Sequence, residues 1–267
     1  MSNFSAFTVT AVMPALLTLG AAPAQIQSAP AAQTPPSTVA GEAIRTEWGY
    51  VGPTGPDHWS ELSKSYAICN NGNQESPVDL ADAIEAGLGT IVFDWKPQPL
   101  RAINNGHTVE FEAASGSSIA VGGRRYALSQ FHIHHPSEHL LAGRRFPLEL
   151  HFVHTLPDGT IGVVGVFVAE GAANPVLQSL LDTVPPMRGD TRAGAAIDLN
   201  RLLPKARDFY RYEGSLTTPP CAEKVDWIVL GQPIAASAAQ IARFQAIFPF
   251  NARPLQPLYR RFLLHGR

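Results

Sequence analysis

The chain has 267 residues, 45% of them hydrophobic and 16% charged, and a formal net charge of −2. That hydrophobic share excludes wholesale disorder, and the lack of any basic run excludes nucleic acid as the main partner, because phosphate recognition needs clustered Lys and Arg. With 22 Gly and 23 Pro, turns are frequent, which favours strands over long helices.

In chain order, residues 1–24 carry no charged side chain, and 6–20 are mostly apolar. Ala22-Pro23-Ala24 resembles a small-x-small cleavage site, so the segment reads as a secretory signal peptide and the protein as exported, periplasmic or secreted. No Lys or Arg precedes the apolar run, and a disordered tail is the alternative. The run is shorter than the ~20 residues that span a bilayer, so no membrane span is expected in the mature protein. Residues 25–43, rich in Ala, Pro, Ser, Thr and Gln, read as a flexible linker. Residues 44–267 read as one domain.

Within it, short β-branched or apolar runs predict strands over 90–95, 108–113, 118–121, 129–134, 148–154, 161–169 and 225–230. Asn105-Gly106, Gly122-Gly123 and Pro157-Asp158-Gly159 supply turns between them. Helical periodicity is confined to 175–183 and 235–247. The expected fold is mainly β (α+β), a single domain on a large, mostly antiparallel twisted sheet with short peripheral helices. The two cysteines, Cys69 and Cys221, can join in an exported chain or remain as buried thiols.

The histidines carry the chemistry. Five of the nine fall between 130 and 151. His132 and His134 alternate on one strand and so share a face. His151 offers a third imidazole on another strand, with Glu149 on its face. Three imidazoles at one point make an open tetrahedral Zn²⁺ site, with a fourth position for water. Gln130 and Glu149 are placed to hold the other ring nitrogens. By the same parity, His135 and His154 face away. Two further patches, 214–221 with Thr217 and Thr218, and Asn104-Asn105-Gly106-His107, read in isolation as a stiff loop and a hairpin turn.

Taken together, these residues resemble the α-class carbonic anhydrases of the bacterial secreted type. The likeness runs from about 48 to 261 through an ordered set of motifs. Trp48-Gly49-Tyr50, Gly55-Pro56 and His58-Trp59 are followed by Gln74-Glu75-Ser76-Pro77, then Asn104 and His107. Next come Gln130 with His132 and His134, Pro136-Ser137-Glu138-His139, and Glu149 with His151 and His154. Ser215 with Thr217, Thr218 and Pro220, Trp227 with Leu230, and Asn251, Arg253-Pro254 and Gln256-Pro257 complete the set. His135 stands where the family usually has Trp or Thr.

The resemblance implies a conical active-site cavity and reversible hydration of CO₂ to bicarbonate and a proton by zinc-bound hydroxide. His132, His134 and His151 would bind the metal. Thr217 would accept from the hydroxide and donate to Glu138, and His107 would carry protons to buffer. Val153, Val163, Leu216, Trp227 and Thr218 would line the CO₂ pocket. The family also pairs two cysteines at the positions of Cys69 and Cys221. Weak ester hydrolysis and inhibition by sulfonamides and small anions would follow from the same site, in a monomer or homodimer. The rival readings are a non-catalytic zinc-binding or adhesion module on the same scaffold, and a zinc hydrolase acting on a larger ester.

Overall fold

The computed structural model describes residues 47–266. The expected signal peptide and linker, and the first residues of the 44–267 domain, lie outside the described residues. Among the described residues, thirteen strands form one sheet. They are β1 (Ile84–Glu85), β2 (Val92–Asp94), β3 (Gln98–Asn104), β4 (Val109–Glu112), β5 (Ser118–Val121), β6 (Arg124–His134), β7 (Leu148–Thr155), β8 (Ile161–Glu170), β9 (Thr191–Ile197), β10 (Phe209–Gly214), β11 (Val225–Leu230), β12 (Ile234–Ala236) and β13 (Leu264–Gly266). The order across the sheet is β1-β13-β10-β11-β8-β7-β6-β4-β3-β9, with β12 beside β8 and β5 joining β2 to β6. The β1–β13, β8–β11 and β8–β12 pairings are parallel, and the others are antiparallel. The helices are short: α1 (Trp59–Leu62), α2 (Ile68–Asn71), α3 (Pro175–Thr183) and α4 (Ala238–Ile247). Among the described residues, no helix is long and apolar enough to cross a membrane.

Every predicted strand has a counterpart, but β1, β3, β9, β10, β12 and β13 were not anticipated. β9 is an exposed edge with an Ala- and Gly-rich sequence, and so lacks the apolar alternation that marks a strand. The helix expected over 235–247 starts later. Residues Ile234–Ala236 add a parallel strand to β8, and Ser237 then caps α4 through a reciprocal capping box with Gln240.

A bulge in β6 decides what the sheet can do. Leu128 lies opposite His154, but Gln130 lies opposite Val153, so Ser129 is the extra residue. Tyr126 and Leu128 pack into the larger apolar core before the bulge, and Phe131 and Ile133 do so after it. The inward parity therefore switches from even to odd, and Gln130, His132 and His134 turn to the other face. On β7, Leu148, Leu150 and Phe152 enter that same core, leaving Glu149, His151 and Val153 opposite. Without the bulge, the β6 histidines would face apolar packing.

Candidate metal centre

On the face set by the bulge, His132 lies opposite His151 and His134 opposite Glu149. One ligand-capable atom from each of His132, His134 and His151 falls within 4.8 Å of the others. Each ring has one nitrogen already occupied. His132 Nδ1 is 2.8 Å from Gln130 Oε1, His134 Nδ1 is 2.6 Å from the Asn251 carbonyl, and His151 Nε2 is 2.9 Å from Glu149 Oε1. All three partners are acceptors, so the proton sits on that nitrogen and the lone pair of the other faces inward. His134 Nε2 is buried without a hydrogen-bond partner. An orphaned lone pair in a buried site costs stability unless something accepts it, and a cation bound by neutral imidazoles fits that requirement. Burial also pushes the rings toward the neutral, ligating form. It takes His132 well below its ordinary value and His134 down to about 4, and it lowers His151.

The carboxylates behind the rings differ. Glu149 is fully engaged: Oε2 accepts from the backbone of Glu138 and His139, both at 2.9 Å, and Oε1 faces His139 Nδ1 at 2.8 Å as well as His151. Burial alone would raise its pKa, but His139 and His151 outweigh burial and hold it well below the carboxylate range. Gly165, opposite His151, leaves room for it, since a Cβ there would sit 3.0 Å from Glu149 Oε1. Glu138 accepts from the Arg253 backbone N–H at 2.8 Å through Oε1. Its Oε2 is buried without a partner, 3.5 Å from His134 Nε2 and 3.8 Å from His151 Nδ1. Burial pushes Glu138 up to about 7, while His151, the Arg253 N–H and the Thr217 hydroxyl pull it down. Thr217 thus faces the carboxyl that the resemblance assigns to it.

An apolar wall adjoins the rings. Val163 pairs with Val153 on one side and Trp227 on the other, and the Trp227 ring centroid lies 4.9 Å from that of His151. Val163 and Trp227 are buried, and Val153 and Leu216 pack against their cluster. Trp227 Nε1 donates to the Ser215 carbonyl at 3.0 Å, tying this wall to the loop that bears Thr217 and half-buried Thr218. Cys69 and Cys221 form a disulfide across 152 residues, with Cα atoms 5.1 Å apart. The Cys221 backbone N–H donates to the Thr218 carbonyl at 2.9 Å, so the bridge anchors that loop. His107 is half-buried, and its carbonyl accepts from Asn251 Nδ2 at 3.0 Å. His135 reaches outward to the Pro249 carbonyl at 2.9 Å, and His154 lies in the apolar core on the far face.

Along most of its length the chain is similar to known proteins. The family model described as eukaryotic-type carbonic anhydrase matches residues 54–265. A carbonic anhydrase of Nostoc sp. is 41% identical over 231 residues, covering 84% of this chain and 88% of that protein. The chain belongs to the eukaryotic-type (alpha) carbonic anhydrase family. A Neisseria gonorrhoeae carbonic anhydrase is 37% identical, covering 85% of this chain and 91% of its own length. The solved alpha-carbonic anhydrase of Thermovibrio ammonificans, in complex with the inhibitor sulfanilamide, superposes with a TM-score of 0.80 at 42% identity, covering 82% of this chain and 99% of that chain.

Two residues of this family member carry more than their place in a terminal motif revealed. Asn251 holds His134 through its carbonyl, the His135 backbone through Oδ1 at 2.6 Å, and the Ile133 and His107 carbonyls through Nδ2 at 3.0 Å each. Arg253 holds Glu138 through its backbone, while its guanidinium donates to Glu75 Oε2 at 2.6 Å and to the Ser76 carbonyl at 2.8 Å. The only sequence signal for them is their motif, since their partners lie more than 100 residues away.

Proposed function

We propose that the chain catalyses reversible hydration of CO₂ to bicarbonate and a proton at a Zn²⁺ ion held by His132, His134 and His151. The supporting observation is the set of three inward-facing imidazole lone pairs, each fixed by an acceptor on the ring's other nitrogen. When bound, zinc supplies a Lewis acid that makes water nucleophilic at neutral pH.

The residues of the chain do the rest. Gln130, Asn251 and Glu149 fix the ring orientations. Ionised Glu138 can only accept, so it fixes the direction of the Thr217 hydroxyl proton, leaving that oxygen free to accept from the attacking group. The ionised form of Glu138 would be favoured further by a cation held at the three imidazoles. Val153, Val163, Leu216 and Trp227 offer an apolar surface to CO₂, which needs no polar anchor, and Thr218 completes the wall. His107 accepts a proton at a ring nitrogen and passes it to buffer. A chain that merely carried zinc would have no use for Glu138, Thr217 and His107 in these places, and a wall of Val153, Val163, Leu216 and Trp227 with Thr218 as its one hydroxyl suits CO₂ better than a larger ester. Export is part of this reading, and the disulfide suits an oxidising compartment.

Stopped-flow CO₂ hydration by zinc-replete protein, with zinc quantified by elemental analysis, tests the proposal. We expect one zinc per chain and turnover that disappears in His134→Ala. Wild-type turnover equal to that of His134→Ala refutes it.

A further inference from the structure

The His107 ring is framed by residues from two other segments. It stacks on Trp48, with centroids 3.7 Å apart and planes 7° from parallel. Arg188, in the connection from α3 to β9, lies over Gly106: a Cβ there would fall 2.6 Å from Arg188 Cδ and Nε, and Gly106 also has φ 86. Both facts call for glycine at that position. Arg188 Nη1 is 2.9 Å from Glu47 Oε1, and Glu47 directly precedes Trp48. The Arg188 segment is tied back to the His107 loop, because Gly189 N–H donates to the Asn104 carbonyl at 2.7 Å and Asn104 Nδ2 to the Pro185 carbonyl at 3.2 Å. Arg188, Glu47, Trp48, His107 and Asn104 therefore close a ring of contacts around one imidazole.

We propose that Arg188 and Glu47 form a charged bracket that sets how readily His107 takes a proton, Arg188 opposing protonation and Glu47 favouring it. They are the two charged groups that act on His107 among the described residues. Burial lowers the His107 pKa first, Arg188 lowers it further, and Glu47 raises it. Their own pairing lets each partly mask the other. Both side chains are exposed, so the balance is open to ionic strength. The functional arm rests on the reading of His107 as the proton carrier. The electrostatic arm does not.

The test is an NMR titration of His107 in the zinc-loaded protein and in Arg188→Gln and Glu47→Gln, beside CO₂ hydration in poor buffer. Arg188→Gln should raise the His107 midpoint and Glu47→Gln lower it, each by about half a pH unit at low salt. Both shifts should shrink at about 1 M salt, where screening is nearly complete. In poor buffer, Arg188→Gln should speed turnover and Glu47→Gln slow it by about twofold, with neither effect in concentrated imidazole. Midpoints that stay fixed, or move in the same direction, overturn the bracket. Midpoints that move as stated while turnover in poor buffer does not follow uphold the bracket and remove His107 from proton transfer.

Discussion

β7 presents two histidines to opposite surroundings. His151 faces the candidate metal centre, where Glu149 holds one nitrogen and the other joins the converging lone pairs. His154 faces the main apolar core, where Trp95 Nε1 donates to its Nε2 at 3.2 Å and its Nδ1 is buried without a partner. Burial lowers the pKa of both. Only His151 has a carboxylate to offset that burial and a neighbouring pair of imidazoles to share a ligand with. An imidazole in a sheet is thus made useful by what holds its second nitrogen, more than by burial.

The side of the candidate metal centre is tied down from outside, and cutting those ties shows how far the contrast depends on them. The largest effect is expected from the disulfide. A closed loop of 152 residues corresponds to about 5 kcal/mol in the chain-entropy model. Verified reduction should lower the thermal midpoint and increase backbone exchange around Thr217 and Thr218, while amides of β4 and the far-side core stay protected. Unchanged melting after reduction would show that the bridge is dispensable.

The Glu75–Arg253 pair comes next. Both side chains are buried, and Arg253 also reaches Glu138. Burial raises the Glu75 pKa and Arg253 opposes this. Arg253→Met leaves a buried carboxylate unpaired and should cost about 3–5 kcal/mol in urea unfolding. Adding Glu75→Gln should restore part of that loss. A double variant no more stable than Arg253→Met alone would mean that the pair is not the origin of the cost.

These ties mark the limit of what could be read from the sequence. The alternation of His132 with His134, and of Glu149 with His151, is visible because a strand repeats every two residues. The switch of parity at Ser129 is not visible, because neither Gly nor Pro marks that bulge. Nor could the sequence show that Asn251 grips His134, or Arg253 pairs with Glu75, because such contacts exist only after β6, the terminal segment and the 69–76 stretch come together. The β9 edge escaped for another reason: its side chains are small and mostly exposed, so burial imposes no pattern on them.

On the far face, His154 offers a way to sharpen the contrast through pH. Burial lowers its pKa to about 4, against about 6.5 in the unfolded chain. Below 6.5 the unfolded chain takes up a proton that the folded one refuses. The neutral ring therefore supports stability above pH 6.5, and that support fades as pH falls to about 4, by at most about 3 kcal/mol. His154→Gln keeps an acceptor for Trp95 and removes the titration, so its unfolding free energy should fall less steeply between those pH values. Parallel pH profiles for the two proteins would show that the His154 site does not exclude the proton.

The smallest effect is expected at the outermost of the three proposed ligands. Among the described residues Gln130 is the hydrogen-bond partner of the second nitrogen of His132, the proposed ligand ring that is not fully buried. Water can therefore stand in for Gln130, whereas it cannot replace Glu149 or the Asn251 carbonyl in the buried part of the site. Gln130→Ala should weaken zinc binding by about 10-fold, the lower end of the range for lost outer partners of a metal ligand. Glu149→Ala should weaken it more, since its loss also strips His139 and the Glu138 backbone of their acceptor. Competition against a chelator measures both on one scale. Equal losses would mean that solvent access does not set the value of an outer partner here, and that the two sides of the ligand set are held alike.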